Sequence, residues 1–138
     1  MIARKMDKVT SYLSHLFRTS GLDRFSFETL TDPDRPDRIE IVYRDPVTGK
    51  RMRTSDGRIF RRFLLLKPEI GKNGKKIRYR SLKDGGTHIF FPTCFKGNLI
   101  DYLTAHPDES IYFTEGEKKA AKACLEGIPC IAILGIWC

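Results

Sequence analysis

Apolar residues change their spacing twice along this chain of 138 residues. Over residues 7–18, Val9, Tyr12, Leu13, Leu16 and Phe17 recur at i, i+3, i+4, i+7 and i+8, the stripe of an amphipathic helix, and Gly21 follows as a stop. Residues 31–38 are a polar Pro/Asp connection that opposes helix. Period-2 alternation begins next. Ile39, Ile41 and Tyr43 share one face of a strand over 38–44, the turn sequence at 45–49 follows, and residues 50–54 are expected back as its antiparallel partner. A second hairpin is expected from 59–66, the loop at 71–74 and 75–80, with Ile77 and Tyr79 on one face and Lys76, Arg78 and Arg80 on the other.

Beyond residue 84 the pattern changes again. Residues 85–92 offer a short apolar strand ended by Pro92, and 98–104 a short helix with Leu99, Ile100, Tyr102 and Leu103 as its apolar members. Residues 111–114 (Ile-Tyr-Phe-Thr) are strand-like, Gly116 permits a turn, and Ala120, Ala121, Cys124 and Leu125 give 117–126 a thin apolar helical stripe. Gly127 suits the position after the helix, Pro129 blocks its continuation, and 130–134 is an unbroken apolar run of the kind found in buried parallel sheets. This order predicts a parallel βαβ unit with Glu115 at the carboxyl edge of its first strand, where open α/β sheets place ligand chemistry. Glu115 and Glu117 also stand where carboxylates complement a helix dipole.

Composition adds one decisive feature. The net charge is +8, and residues 44–83 hold 14 Lys+Arg against 3 Asp+Glu, a local +11, while the remainder carries 11 against 14, or −3. A basic block inside a mildly acidic chain points to a polyanion, DNA or RNA. The candidate contacts are Arg51, Arg53, Arg62, Lys76, Arg78, Arg80, Lys118 and Lys119. With 41% hydrophobic and 30% charged residues the chain is an ordinary globular sequence, which excludes wholesale disorder. No run approaches the ~18 apolar residues of a membrane span, and the polar N-terminus lacks a secretory core, so a cytoplasmic protein without membrane contact is expected. The four cysteines (Cys94, Cys124, Cys130, Cys138) lack C-x-x-C spacing, and Cys94 with His88 and His106 lacks zinc-ligand spacing.

Residues 114–120 (Thr-Glu-Gly-Glu-Lys-Lys-Ala), set between an apolar strand and Gly127-Ile-Pro-Cys-Ile-Ala-Ile-Leu-Gly135, resemble the start of a toprim domain, the metal-binding fold of bacterial primases, topoisomerases and related nucleases. The Glu-Gly-Glu-Lys-Lys-Ala form with a downstream Gly-Ile-Trp is similar to the toprim-like region of phage and mobile-element primase–helicase proteins. Residues 76–80 and 89–92 resemble segments that precede toprim there, so the likeness spans about residues 75–137. It implies that Glu115 is an acid of the metal site or a general acid/base, with Glu117 beside it as a second Mg²⁺ or Mn²⁺ ligand. It also implies an Asp-x-Asp on a later strand, and no Asp-x-Asp follows Glu115 in this sequence. Two-metal phosphoryl transfer needs several clustered carboxylates, so this chain alone is expected to hold metal weakly or not at all and to be inactive. Trp137 is expected to be covered by another chain or by further sequence.

The expected fold class is α+β: an N-terminal helical segment (1–30), a region of antiparallel basic β-hairpins (31–95) and the start of a toprim-like βαβ unit (96–138). The expected function is the nucleic-acid-binding N-terminal portion of a toprim-containing, primase-like replication protein. The alternatives are a non-enzymatic nucleic-acid-binding module and a protein–protein adaptor.

Overall fold

The structure, a computed structural model, describes Leu22 and residues 28–95 and 97–134. The helix expected at 7–18 and Trp137 lie outside the described residues. The chain is an α+β protein. Its described strands form two sheets, one with the order β1-β2-β3-β4 and one with the order β5-β7-β6.

The first sheet is antiparallel throughout and comprises β1 (Thr29–Thr31), β2 (Arg38–Ile41), β3 (Arg62–Ile70) and β4 (Lys76–Ser81). The polar stretch 32–37 is the turn joining β1 to β2, closed by Arg35 N–H to Asp32 C=O (3.0 Å). The expected partner of β2, residues 50–54, is reduced to an isolated bridge, Arg44 with Arg51. The long ladder of β2 runs to β3 instead, setting Ile39 opposite Leu64 and Ile41 opposite Arg62. The physical reason lies in side-chain content. Residues 50–54 offer one apolar side chain, Met52, whereas Phe63, Leu64 and Leu65 are all buried, and cross-strand packing rather than loop length selects the partner. The β3–β4 hairpin is as expected, although β3 extends past Leu66 to Ile70. Pro68, which has no N–H for a ladder, lies within the register shift between Leu64 and Glu69.

The second sheet contains the predicted crossover unit. β6 (Tyr112–Thr114) and β7 (Cys130–Ile133) are parallel and joined by α2 (Glu117–Leu125), while β5 (Ile89–Phe90) pairs antiparallel with β7. Before it lies α1 (Leu99–Ala105), capped by Asn98, whose Oδ1 accepts from the N–H groups of Ile100 (2.8 Å) and Asp101 (3.2 Å). Gly127, at φ 82°, ends α2: its N–H reaches Cys124 C=O (3.0 Å) and Ile128 N–H reaches Ala123 C=O (2.9 Å). This is the paired closure that a left-handed residue after a helix makes possible.

A single apolar core joins the two sheets. Ile41, Tyr43, Phe60 and Leu64 from the first half meet Phe90, Ala120, Ala121, Cys124, Ile131 and Ala132 from the second. The alanines let α2 lie close over the sheet, and Cys124 is a buried free thiol, raised by burial to about 11. No helix of the described residues is long and apolar enough to cross a membrane.

Candidate nucleic-acid interface

Edge strand β4 carries the alternation its sequence predicts. Lys76, Arg78 and Arg80 are exposed, while Ile77 and Tyr79 are half-buried, with Tyr79 packed on the core. Alternation along a strand spaces like-facing residues by about 6.5–7 Å, so three cations stand in a row. Arg80 is opposite Phe63, and Phe63 is opposite Glu40, which places the row on the outer face of the sheet. Arg80 pairs with Glu69 (2.6 Å), whereas Lys76 and Arg78 make no ion pair among the described residues. Lys118 on α2 lies close enough to Arg78 to be affected by it: burial, and then the Arg78 charge, hold its ammonium below the ordinary lysine value.

Further across this face Glu40, with only 5% of its side chain exposed, is held between two arginines. Arg51 donates to Oε2, and Arg61 donates to Oε1 through Nε (2.8 Å) and Nη2 (2.7 Å). Arg38 lies over the Phe63 ring (3.8 Å to the centroid), and Arg61 flanks the same ring at 5.0 Å. Burial, and then the charges of Arg35 and Arg61, keep Arg38 below the usual arginine value. Sequence reasoning named Arg51 but missed Arg38, Arg61 and Glu40. The available signal was the alternation at 38–41, which sends Arg38 and Glu40 to the face opposite Ile39 and Ile41. Arg53 stands on the connection between β2 and β3, where its Nη1 donates to Gly57 C=O (2.7 Å).

Arg62 and Glu117 have a different role from the one expected. The Glu117 side chain is 1% exposed, and its Oε1 accepts from Arg62 Nε (2.5 Å) and Tyr43 Oη (2.9 Å). Arg62 also donates to Ser81 Oγ (3.0 Å) and lies over the Tyr79 ring. The strand–loop–helix turn delivers Glu117 to the core face of the first sheet, where Ile41 pairs with Arg62. This buried cluster ties the two sheets together and turns Arg62 away from solvent. Burial, and then the Glu117 carboxylate, push the Tyr43 phenol well above the usual tyrosine value. A raised folded value favours the fold fully below the unfolded phenol's value, about pH 10, and is lost as pH rises beyond it. Alkaline unfolding followed by circular dichroism should therefore be less steep above pH ~10 in Tyr43→Phe than in the parent.

Glu115 lies immediately after β6, at the carboxyl edge where the sequence places it, and is exposed. Its Oε1 accepts from Lys119 Nζ (2.9 Å), an i, i+4 pair on the surface, so two expected site residues meet each other there. Beside it a cavity of about 300 Å³ is lined by Arg62, Ser81, Thr87 and His88. His88 stacks at 4.0 Å on Phe60, and its Nε2 lies 2.8 Å from Gly85 C=O. These residues do not fit a resident divalent metal. Glu115 offers one carboxylate already matched to a lysine, Glu117 is taken by Arg62 and Tyr43, and no group of three or more His, Cys, Asp or Glu side chains among the described residues is placed to hold an ion.

Residues 100–138 match the family DUF3854, a domain of unknown function. That stretch covers α1 and the βαβ unit, well short of half the chain. No curated protein matches the chain, and no solved structure does.

Proposed function

We propose that this protein binds nucleic acid along the outer face of its four-stranded sheet, as the strand-gripping part of a toprim-like replication protein. The observation that supports this best is the row on β4: Lys76 and Arg78 are exposed, evenly spaced and without a carboxylate partner among the described residues. Cations placed to complete the fold are paired, as Arg62 is with Glu117 and Arg51 and Arg61 are with Glu40. Unpaired cations at roughly the phosphate repeat of an extended strand instead favour a polyanion and release its counterions. The contacts are to phosphates, so affinity is sequence-tolerant and DNA and RNA are both accepted.

The test is the affinity of the purified chain for a fluorescent oligothymidylate across a salt series. Three cations in register give a log–log slope of about −2, from about 0.7 per phosphate on a single strand. Absence of binding at low salt, or affinity indifferent to salt, would discard the proposal. The resemblance to toprim assigns metal chemistry to Glu115, but this carboxylate is paired with Lys119 and the described residues supply no second ligand. Glu115→Gln removes the surface pair with Lys119 and nothing buried. We expect it to fold, to shift stability by under about 0.5 kcal/mol, and to leave oligonucleotide affinity within about twofold, because cations rather than acids carry the attraction. A large loss of affinity in this variant would move the interface to the carboxyl edge.

A further inference from the structure

The cavity beside Phe63 has a charge balance that the fold leaves incomplete. It encloses about 290 Å³ and is lined by Arg38, Arg51, Arg61, Phe63, Glu40 and Asp32. Three guanidiniums thus face two carboxylates. Arg51 and Arg61 share Glu40, and Asp32 Oδ1 accepts from the Asp34 N–H. The nearby Arg35 is closed on Asp37 by two hydrogen bonds. Arg38 makes no ion pair among the described residues and lies over the Phe63 ring. The Nε atoms of Arg38 and Arg51 are buried without a hydrogen-bond partner. Buried donors are normally satisfied, so one Nε–H on each of these arginines is left unfilled by the chain itself, although Arg51 already donates to Glu40. A guanidinium fork matches the spacing of two phosphate oxygens, and an arginine lying on an aromatic ring loses little freedom when it binds. Arg38 stands two strands from β4 on the same sheet face, about 10 Å away across the ladder, a span of one to two nucleotides of a crossing strand.

We propose that Arg38, with Arg51 and Arg61 beside it, forms a discrete phosphate subsite that takes one phosphodiester of a strand lying across β4, β3 and β2. Arg38 lines the cavity beside Phe63, while Glu40 holds the other two arginines in place and prevents the cluster from repelling itself apart. This inference rests on the nucleic-acid reading above and gives the bound strand a direction across the sheet, from Lys76 and Arg78 toward Arg38.

Isotope-labelled chain is titrated with oligothymidylate and, separately, with inorganic phosphate at constant ionic strength, following the arginine Nε–Hε signals. The Arg38 and Arg51 signals should move with both titrants. Arg38→Met keeps the apolar stem over Phe63 and leaves the Glu40 pairs intact. It should bind the oligonucleotide about 5–10-fold more weakly at low salt, with the slope reduced by about 0.7, and phosphate should no longer move Arg51. An unchanged amide pattern away from the cavity establishes that the variant is folded. Parent-like affinity in Arg38→Met, alongside weakened binding in Lys76→Glu/Arg78→Glu, would overturn the subsite and leave the interface standing. Parent protein that ignores the oligonucleotide but whose Arg38 and Arg51 signals respond to phosphate would do the reverse. Arginine signals unmoved by either titrant would overturn the subsite outright.

Discussion

Glu117→Leu is expected to cost about 3–5 kcal/mol of unfolding free energy, because it leaves Arg62 as an uncompensated charge in the interior. Glu117 is 1% exposed and Arg62 15%, and both Arg62 Nε and Tyr43 Oη donate to the same carboxylate oxygen. The substitution keeps the side chain's bulk, so the loss comes from the orphaned guanidinium and phenol rather than from a cavity. For a domain whose total stability is about 5–15 kcal/mol, the midpoint of urea unfolding should fall steeply with an unchanged slope. Removing every partner together, in Tyr43→Phe/Arg62→Met/Glu117→Leu, should recover most of the loss, since an apolar cluster of similar volume has no desolvated charge to compensate. If Glu117→Leu costs less than about 1 kcal/mol, the cluster does not join the two sheets and Arg62 is free for another role.

The second large effect is on binding. Lys76→Glu/Arg78→Glu should lower oligonucleotide affinity by at least about tenfold at low salt and reduce the log–log slope by about 1.4, two phosphate contacts at about 0.7 each. The choice of pair comes from the structure. Arg80 is partly neutralised by Glu69 and Arg62 is committed to Glu117, so Lys76 and Arg78, the members of the β4 row without an ion-pair partner among the described residues, are expected to carry most of the attraction. Charged residues on an edge strand also discourage edge-to-edge pairing of sheets. Glutamates do that equally well, so the reversed variant should stay monodisperse while losing the oligonucleotide. The control is Lys50→Glu/Lys83→Glu, which changes net charge equally at exposed positions outside the β-strands. Equal losses in both variants would mean that net charge, rather than a surface, drives binding.

Local pattern made much of this fold readable. The β3–β4 hairpin, the Asn98-capped helix, the βαβ unit and the Gly127 closure each depend on residues close together in sequence, so spacing and turn chemistry determined them. The return of 50–54 was legible only in part. It closes on 43–45 through the Arg44–Arg51 bridge, whereas the long ladder of β2 runs to β3, a pairing between distant segments that brings in the apolar residues 63–65. The same limit explains the site. Whether a cation is available to a ligand depends on partners that sequence distance hides: Glu117 lies 55 residues from Arg62 and 74 from Tyr43. As a result Arg62 looked like an interface residue and Glu117 like a metal ligand beside Glu115 at a helix start. The alternation of Lys76, Arg78 and Arg80 was legible, whereas the grouping of Arg38 and Arg61 over Phe63 needed three strands in register.

The most direct test of the interface is a map of backbone amide shifts as oligothymidylate is added to the folded chain at near-physiological salt. Shifts should be largest along 76–80 and at Arg38, Arg51 and Arg61, with little change at Glu115, Thr87 and His88. Shifts concentrated at that carboxyl edge, with β4 silent, would contradict it.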